Sequence, residues 1–553
     1  MYVDDPTSLY LIAILKSYGI RHIVASPGTQ NAGFNLAVQD DPDFQCFSVV
    51  DERSAAYVAT GIAFETGRPV VLTCTGATAS RNYLSALTEA YYRKLPIIAL
   101  TYTHYADKYD LSPQFLDRSV SQNDVKVMSV ELPVIESSAD RRKCISHINA
   151  AIATALITDM PVHVNVVNPP RLMSFHTKEL PTDFWTTELY RHDPERAKAE
   201  LSGKKVAVFI GAHKKFTAEE QDAISAFARS YGAAVFCDHT SNYHGANKAL
   251  VAQVVQRVAE QYRHDVIIDI GCVSGEYSSS KLFSKAAFWR VAQDGNFRTR
   301  YGKELKKLFL CSELEFFTKM KSDSPQESGC YAQIKAQTDA LSVPELPLCN
   351  ALVCRYLAQY MPTQASLHIG ILNSLRNMNY FNLPESVDVV CNVGGFGIDG
   401  PVSSAIGQSL ATQKPVFALI GDLAFFYDMN SLGIREIRKN LRLIIVNNNH
   451  GQEFRINPLL EDVHAEKTDH LVAAAGHYKA GAKSWAEACG FRYSEVRSRA
   501  DLEEKIRDIC SETVEGPALL EVFTGNEDEQ TGLELMRSRD KQSTGLLKKI
   551  FKR

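Results

Sequence analysis

A surplus of one charge sign is missing from this 553-residue chain: its formal net charge is −4, which gives no electrostatic footing for nucleic acid or an anionic membrane. Long apolar runs are missing too. "LPIIAL" and "LRLIIV" are far too short to span a bilayer. "LYLIAIL" near the start follows two aspartates rather than a basic region, so it does not read as a signal peptide. The twelve cysteines form no CxxC pair, and Cys74, Cys237 and Cys391 lie inside apolar runs. They read as reduced, buried thiols of a cytoplasmic protein and not as a metal site or disulfide framework.

What is present is ordinary soluble, globular composition, with 45% hydrophobic and 22% charged residues. The length exceeds what one core serves, so two or three domains are expected. Over the first 170 residues apolar strands alternate with helices: "RHIVASPG", "QCFSVV", "RPVVLTCTG" and "LPIIALTYT" are strands, and "SLYLIAILKSYG" and "SRNYLSALTEAYYRK" are helices. Continuous apolar strands between helices predict an α/β fold with parallel sheets covered on both faces. A polar stretch from about 173 to 200 reads as a linker to a second α/β unit with "KKVAVFIGAH", "GAAVFCDH" and "HDVIIDIGC". A charged stretch from about 320 to 346 leads to a third unit with "VDVVCNVGGFGIDG", "KPVFALIGD", "LRLIIVNNN" and "GPALLEVFT". The expected modules are 1–175, 195–335 and 345–553. The runs beginning "LTCTGATAS" and "ALIGDLAFF" share a strand, glycine turn, helix, strand plan, which common βαβ geometry explains as well as duplication does.

Two places carry chemistry. In "FSVVDERSAAYVATGIAF" a strand runs straight into Asp51, Glu52 and Arg53 before a helix of small residues. Glu52 reads either as a helix N-terminal charge favoured by the macrodipole or as a carboxyl whose apolar surroundings raise its pKa for proton transfer. In the third unit Asp422 ends "KPVFALIG", and Asn447, Asn448 and Asn449 end "LRLIIV". In a parallel sheet both ends open on the carboxyl edge, where ligands bind. An aspartate, an amide and a nearby carbonyl are hard oxygen ligands suited to Mg²⁺, which commonly completes its shell with phosphate oxygens.

These stretches resemble a known family. "GDLAFFYDMNSL…VNNNHG" is similar to the GDG…NN signature of thiamin diphosphate enzymes, in the form found in the menaquinone-pathway SEPHCHC synthases (the MenD family). "SPGTQNAG", "DERSAAYVATGIA", "TCTGATASRNYLSALTEA", "ILNSL" and "NVGGFGIDG" follow in that family's order. The resemblance implies three doubly wound modules: an N-terminal PYR-type domain, a middle domain and a C-terminal PP-type domain. It implies thiamin diphosphate and Mg²⁺ as cofactors, and a homodimer or homotetramer with active sites at the subunit interface. Glu52 takes the place of the glutamate that hydrogen-bonds N1′ of the aminopyrimidine. Asp422 and Asn448 are the side-chain metal ligands, and His450 offers its carbonyl oxygen. Ile398 matches the residue that wedges the cofactor into its bent shape. Ser374, Gly421 and Gly76 are further candidate cofactor contacts, and Gln122 is a candidate neighbour of the reaction centre.

Departures fall where that family handles carboxylates. Its S-P-G-S-R-S arginine is Gln30, the arginine of its N-R-G motif is Val393, and the one after T-A-D is His104. Its Ile-Phe pair reads Glu453-Phe454. Arginine forks are the natural receptors for carboxylates, so a pocket for 2-oxoglutarate and isochorismate is not expected unless Lys281, Arg300 or Arg376 compensates. The expected function is decarboxylation of a 2-oxo acid with transfer of the acyl-anion equivalent to another acceptor. The alternatives are SEPHCHC synthase itself, a simple 2-oxo acid decarboxylase, an FAD-containing acetolactate-type enzyme or a non-catalytic cofactor-binding protein.

Overall fold

The computed structural model describes all residues except 105–121, 170–172, 185, 187–193, 256–263, 284–285, 295–299, 301–304, 325–329, 457–465, 477, 479, 512, 514 and 539–553. Among the described residues the strands form three six-stranded sheets, and every pairing between these strands is parallel.

The first sheet comprises β1 (His22–Ala25), β2 (Gln45–Ser48), β3 (Val70–Thr75), β4 (Ile97–His104), β5 (Met128–Leu132) and β6 (Val162–Asn168), in the order β2-β1-β3-β4-β6-β5. The second has β7 (Val206–Ile210), β8 (Val235–Cys237), β9 (Lys248–Leu250), β10 (Val266–Ile270), β11 (Ala287–Val291) and β12 (Leu305–Phe309), ordered β12-β11-β10-β7-β8-β9. The third has β13 (Ser366–Ile369), β14 (Asp388–Val390), β15 (Val416–Gly421), β16 (Leu441–Asn447), β17 (Arg492–Val496) and β18 (Ala518–Phe523), ordered β14-β13-β15-β16-β18-β17. Central strands are buried along nearly their whole length, as in β4, β10 and β16. That is the α/β architecture expected for sheets packed on both faces.

The chain divides into two compact units. The first holds Met1–Tyr190, Gly394–Gln413 and Asp428–Arg438; the second holds Arg191–Val393, Lys414–Tyr427 and Lys439–Arg553. The first sheet lies in the first unit, and the other two lie in the second. In the first unit the helix Glu52–Thr66 packs on the helix Pro401–Ala411. Its start is fixed by Asp51, whose carboxylate accepts the Ser54 N–H at 3.1 Å, and Gly67 closes it in a left-handed conformation at φ 62°. All twelve cysteines are free thiols; Cys46 is exposed, and Cys272, Cys330 and Cys489 are half-buried, so not every thiol is in the core as expected. Among the described residues no helix is long and apolar enough to cross a membrane.

Candidate active site

In the second unit, β15 and β16 pair in register so that Gly421 stands opposite Val446, which brings Asp422 beside the turn that begins at Asn447. Asp422 is buried, and burial pushes its carboxyl up to about 7, with backbone N–H groups of Leu423 and Asn449 pulling the other way. The turn is held from behind by Glu521 on β18. This fully buried carboxylate accepts the Asn447 amide at 2.7 Å, the Ala482 N–H at 2.9 Å and the Tyr493 hydroxyl at 2.8 Å. Asn447 Oδ1 accepts the Asn449 N–H and Asn448 Oδ1 accepts the His450 N–H, at 3.0 and 3.1 Å, folding the chain back with Asn449 at φ 54°. The His450 ring is engaged elsewhere, its Nε2 lying 2.7 Å from Asp469, which Arg455 also grips at 2.6 Å.

The donor set fits a hard divalent cation and a diphosphate. Asp422 is a buried acceptor whose hydrogen bonds come from the backbone, so a cation would relieve its isolation. Among the described residues no group of three or more His, Cys, Asp or Glu is placed to hold a metal, so a cation here would take amide and carbonyl oxygens beside one carboxylate. A Cβ added at Gly421 would meet nothing within 4 Å, leaving open space above the strand end. Ser374 is buried, and its Oγ accepts the Asn350 amide at 3.1 Å.

In the first unit Glu52 is the first residue of its helix, and the Asn82 amide donates to its Oε2 at 3.3 Å. Asp51 also accepts from Asn430 at 2.6 Å, so this neighbour of Glu52 has a structural task. Gly76 follows β3 and donates to the Tyr102 carbonyl at 2.9 Å. Ile398 is 42% exposed, on a loop clamped at both ends. At one end buried Glu89 accepts the Gly395 N–H at 2.7 Å; at the other the Tyr57 hydroxyl donates to Asp399 at 3.0 Å. Gly400 is required there: it has φ 87°, and a Cβ would stand 2.0 Å from the Tyr57 ring. Burial pushes the Glu89 carboxyl up to about 7 against the pull of Arg93. These clamp residues were missed in sequence. The one signal was an acid followed four residues later by a base on a largely apolar helix.

The positions of the expected substrate arginines are now visible. Gln30 and His104 line one cavity of about 420 Å³ with Asp4, Asp5 and Tyr102, and no lysine or arginine is among its described lining residues. Asn168 donates to both the Gln30 carbonyl and its Oε1. Val393 is buried. Of the compensating cations, Arg300 is already engaged: with Arg290 it grips buried Asp269. Arg376 donates through Nη2 to Glu453 at 2.9 Å. Phe454 is 39% exposed and Gln122 is exposed, while the side chain of Lys281 lies outside the described residues.

Comparison with known proteins bears on the family and the fold. The family model "Thiamine pyrophosphate enzyme, N-terminal TPP binding domain" matches residues 7–130, and the corresponding C-terminal TPP binding domain matches residues 377–522. A 2-succinyl-5-enolpyruvyl-6-hydroxy-3-cyclohexene-1-carboxylate synthase of Phocaeicola vulgatus is 30% identical over 550 residues, covering 96% of this chain and 98% of that protein. The chain belongs to the thiamine pyrophosphate enzymes. A synthase of the same name from Bacteroides fragilis is 29% identical, covering 95% of this chain and 97% of its own. Among solved structures, a thiamine diphosphate-dependent 4-hydroxybenzoylformate decarboxylase of Rhodococcus jostii superposes with a TM-score of 0.69 at 18% identity, over 94% of this chain and 99% of that one. That likeness confirms the fold. As a thiamine pyrophosphate enzyme, the chain has Glu52 inside the N-terminal match, and Asp422, Asn448 and His450 inside the C-terminal one.

Proposed function

We propose that this thiamine pyrophosphate enzyme decarboxylates a 2-oxo acid and transfers the acyl-anion equivalent to an acceptor, in a homodimer or homotetramer whose active sites lie at the subunit interface. The observation that carries the reading is buried Asp422 set against the Asn447–Asn449 turn at the carboxyl edge of the third sheet. Asp422, the Asn448 amide oxygen and the His450 carbonyl would hold Mg²⁺, and Gly421 leaves room for the diphosphate. When bound, thiamin diphosphate supplies the carbon nucleophile and the electron sink. The bond between the carbonyl carbon and the carboxylate breaks, CO₂ leaves, and the electron pair retained on carbon goes to the acceptor or to a proton. Glu52, the first residue of a helix buried from Ser54 to Phe64, would share a proton with the aminopyrimidine of the bound cofactor. Ile398, on a loop fixed by Glu89 and Tyr57, would pack against the bound cofactor.

The relatives' name favours a second reading, SEPHCHC synthase activity itself. Gln30, His104, Val393 and Glu453 favour another substrate pair. A panel of 2-oxo acids assayed for CO₂ release, with and without aldehyde or enoate acceptors, tests the proposal. Turnover should vanish after chelation and dialysis and return with Mg²⁺ plus cofactor. Full activity in the stripped protein, or no turnover of any 2-oxo acid, would defeat it.

A further inference from the structure

Arg376 and Glu453 form a single-point ion pair at the carboxyl edge of the third sheet. Arg376 lies on the helix Asn373–Met378 after β13, and Glu453 begins the helix Glu453–Ile456 directly after the turn that carries Asn448 and His450. One guanidinium nitrogen, Nη2, meets one carboxylate oxygen, Oε2, at 2.9 Å. Arg376 Nη1 is buried without a hydrogen-bond partner among the described residues. Glu453 carries no further hydrogen bond among the described residues, and its side chain is the more open of the two, 20% exposed against 15%. Arg376 also sits within electrostatic reach of buried Glu276, which the Asn379 amide approaches at 3.5 Å. One cation therefore acts on two carboxyl groups, and Glu453 keeps one carboxylate oxygen, Oε1, without a partner among the described residues.

Resting on the function proposed above, we infer that Glu453 is a specificity-determining residue: it withdraws Arg376 from substrate carboxylates and offers a hydrogen-bond acceptor, so that the site selects a substrate side chain bearing a hydroxyl or amino group. The physical reason is competition. A guanidinium whose charge is already offset by a fixed carboxylate gains less from a second anion, and the free Oε1 repels that newcomer. A hydroxyl or ammonium donor meets neither obstacle, and leaving Oε1 unpaired on binding a side chain without a donor would cost affinity.

The test uses non-reacting acyl phosphonate analogues of hydroxypyruvate, pyruvate and 2-oxoglutarate, titrated calorimetrically into the holoenzyme and into Glu453→Gln and Glu453→Asp. The expected order for the wild type is hydroxypyruvate analogue tightest and 2-oxoglutarate analogue weakest. In Glu453→Gln the ratio of dicarboxylate to hydroxyl affinity should rise at least tenfold. Glu453→Asp keeps the charge and should preserve the wild-type order, which separates specificity from a general loss of fold. The same ratio in wild type and Glu453→Gln, tightest binding of the dicarboxylate analogue by the wild type, or binding of no analogue would each overturn the inference. Absence of CO₂ release from any 2-oxo acid would instead strike the proposed reaction, while these affinities would still decide the role of Glu453.

Discussion

Gly61 and Gly407 meet where the helices Glu52–Thr66 and Pro401–Ala411 cross. A Cβ built on Gly61 would stand 3.1 Å from the Gly407 carbonyl carbon and 2.2 Å from the Ser404 oxygen, and one on Gly407 would stand 2.1 Å from the Val58 oxygen. These are backbone atoms of packed helices and cannot swing aside. Gly61→Ala should therefore push the helices apart, although alanine is the better helix former. A loss of about 1–3 kcal/mol is expected from overpacking, seen as a lower melting temperature by circular dichroism. Unchanged or higher stability would mean that the crossing relaxes without cost.

The sequence made the central strands legible because they are largely apolar runs: "LPIIALTYT", "KPVFALIGD" and "LRLIIV" match β4, β15 and β16 to within two residues at each end. It also located Asp422 beside the asparagine turn, because both sit at the ends of neighbouring strands. The strands it missed lie mostly at sheet edges. β5 and β17 bury little, β9 is three residues long, and β12 carries Lys306 and Lys307. An edge strand has one neighbour and needs less apolar sequence. The stretch from 320 to 346 was read as a connection, yet it holds the helix Tyr331–Asp339. Partners remote in sequence were out of reach altogether. Glu89 and Gly395 are 306 residues apart, Tyr57 and Asp399 are 342 apart, and no local pattern announces either contact.

Glu52→Gln should bind cofactor but lose most turnover. An amide keeps the size of the side chain and the contact with Asn82, but it cannot exchange a proton with a ring nitrogen. The cofactor's C2 proton exchange, followed by NMR in the holoenzyme, reads this step without needing the true substrate. Wild-type exchange in the variant would return Glu52 to the role of a helix N-terminal charge.

Glu89 should make stability depend on pH. Burial holds its folded carboxyl at about 7, above the ordinary unfolded value of about 4.3. Between those values the folded chain keeps a proton that the unfolded chain has lost. The stabilisation is therefore complete below about pH 4 and is lost as the pH rises through 7. Glu89→Gln, which still offers an acceptor to the Gly395 N–H, should flatten the fall in stability between pH 4 and 8 by on the order of 2–3 kcal/mol. Urea titrations of both proteins across that range would show it, and parallel profiles would exclude Glu89 as a source.

Sedimentation at micromolar concentration should find at least a dimer, because an interface that completes an active site is expected to be extensive and symmetric. A fully active monomer would remove the proposal that the sites lie between subunits.

Isochorismate with 2-oxoglutarate should be a poor substrate pair. Gln30 and His104 line a cavity without described lysine or arginine, Val393 is buried, and Arg376 is committed to Glu453. Each absent charge-assisted contact to a carboxylate is worth roughly 1.5–3 kcal/mol, so losing two costs on the order of 10²-fold or more in transition-state binding. Glu453 adds repulsion toward a dianion. Steady-state kinetics on this pair should give a kcat/KM at least about 10²-fold below that of the best pair from the 2-oxo acid panel. Lys281 is the remaining cation named as a compensating contact, and Lys281→Ala separates the outcomes. If the isochorismate pair proved best and Lys281→Ala abolished its preference, the arginines would have been replaced by a rebuilt receptor for the same carboxylates, and the reading of an altered substrate would be wrong.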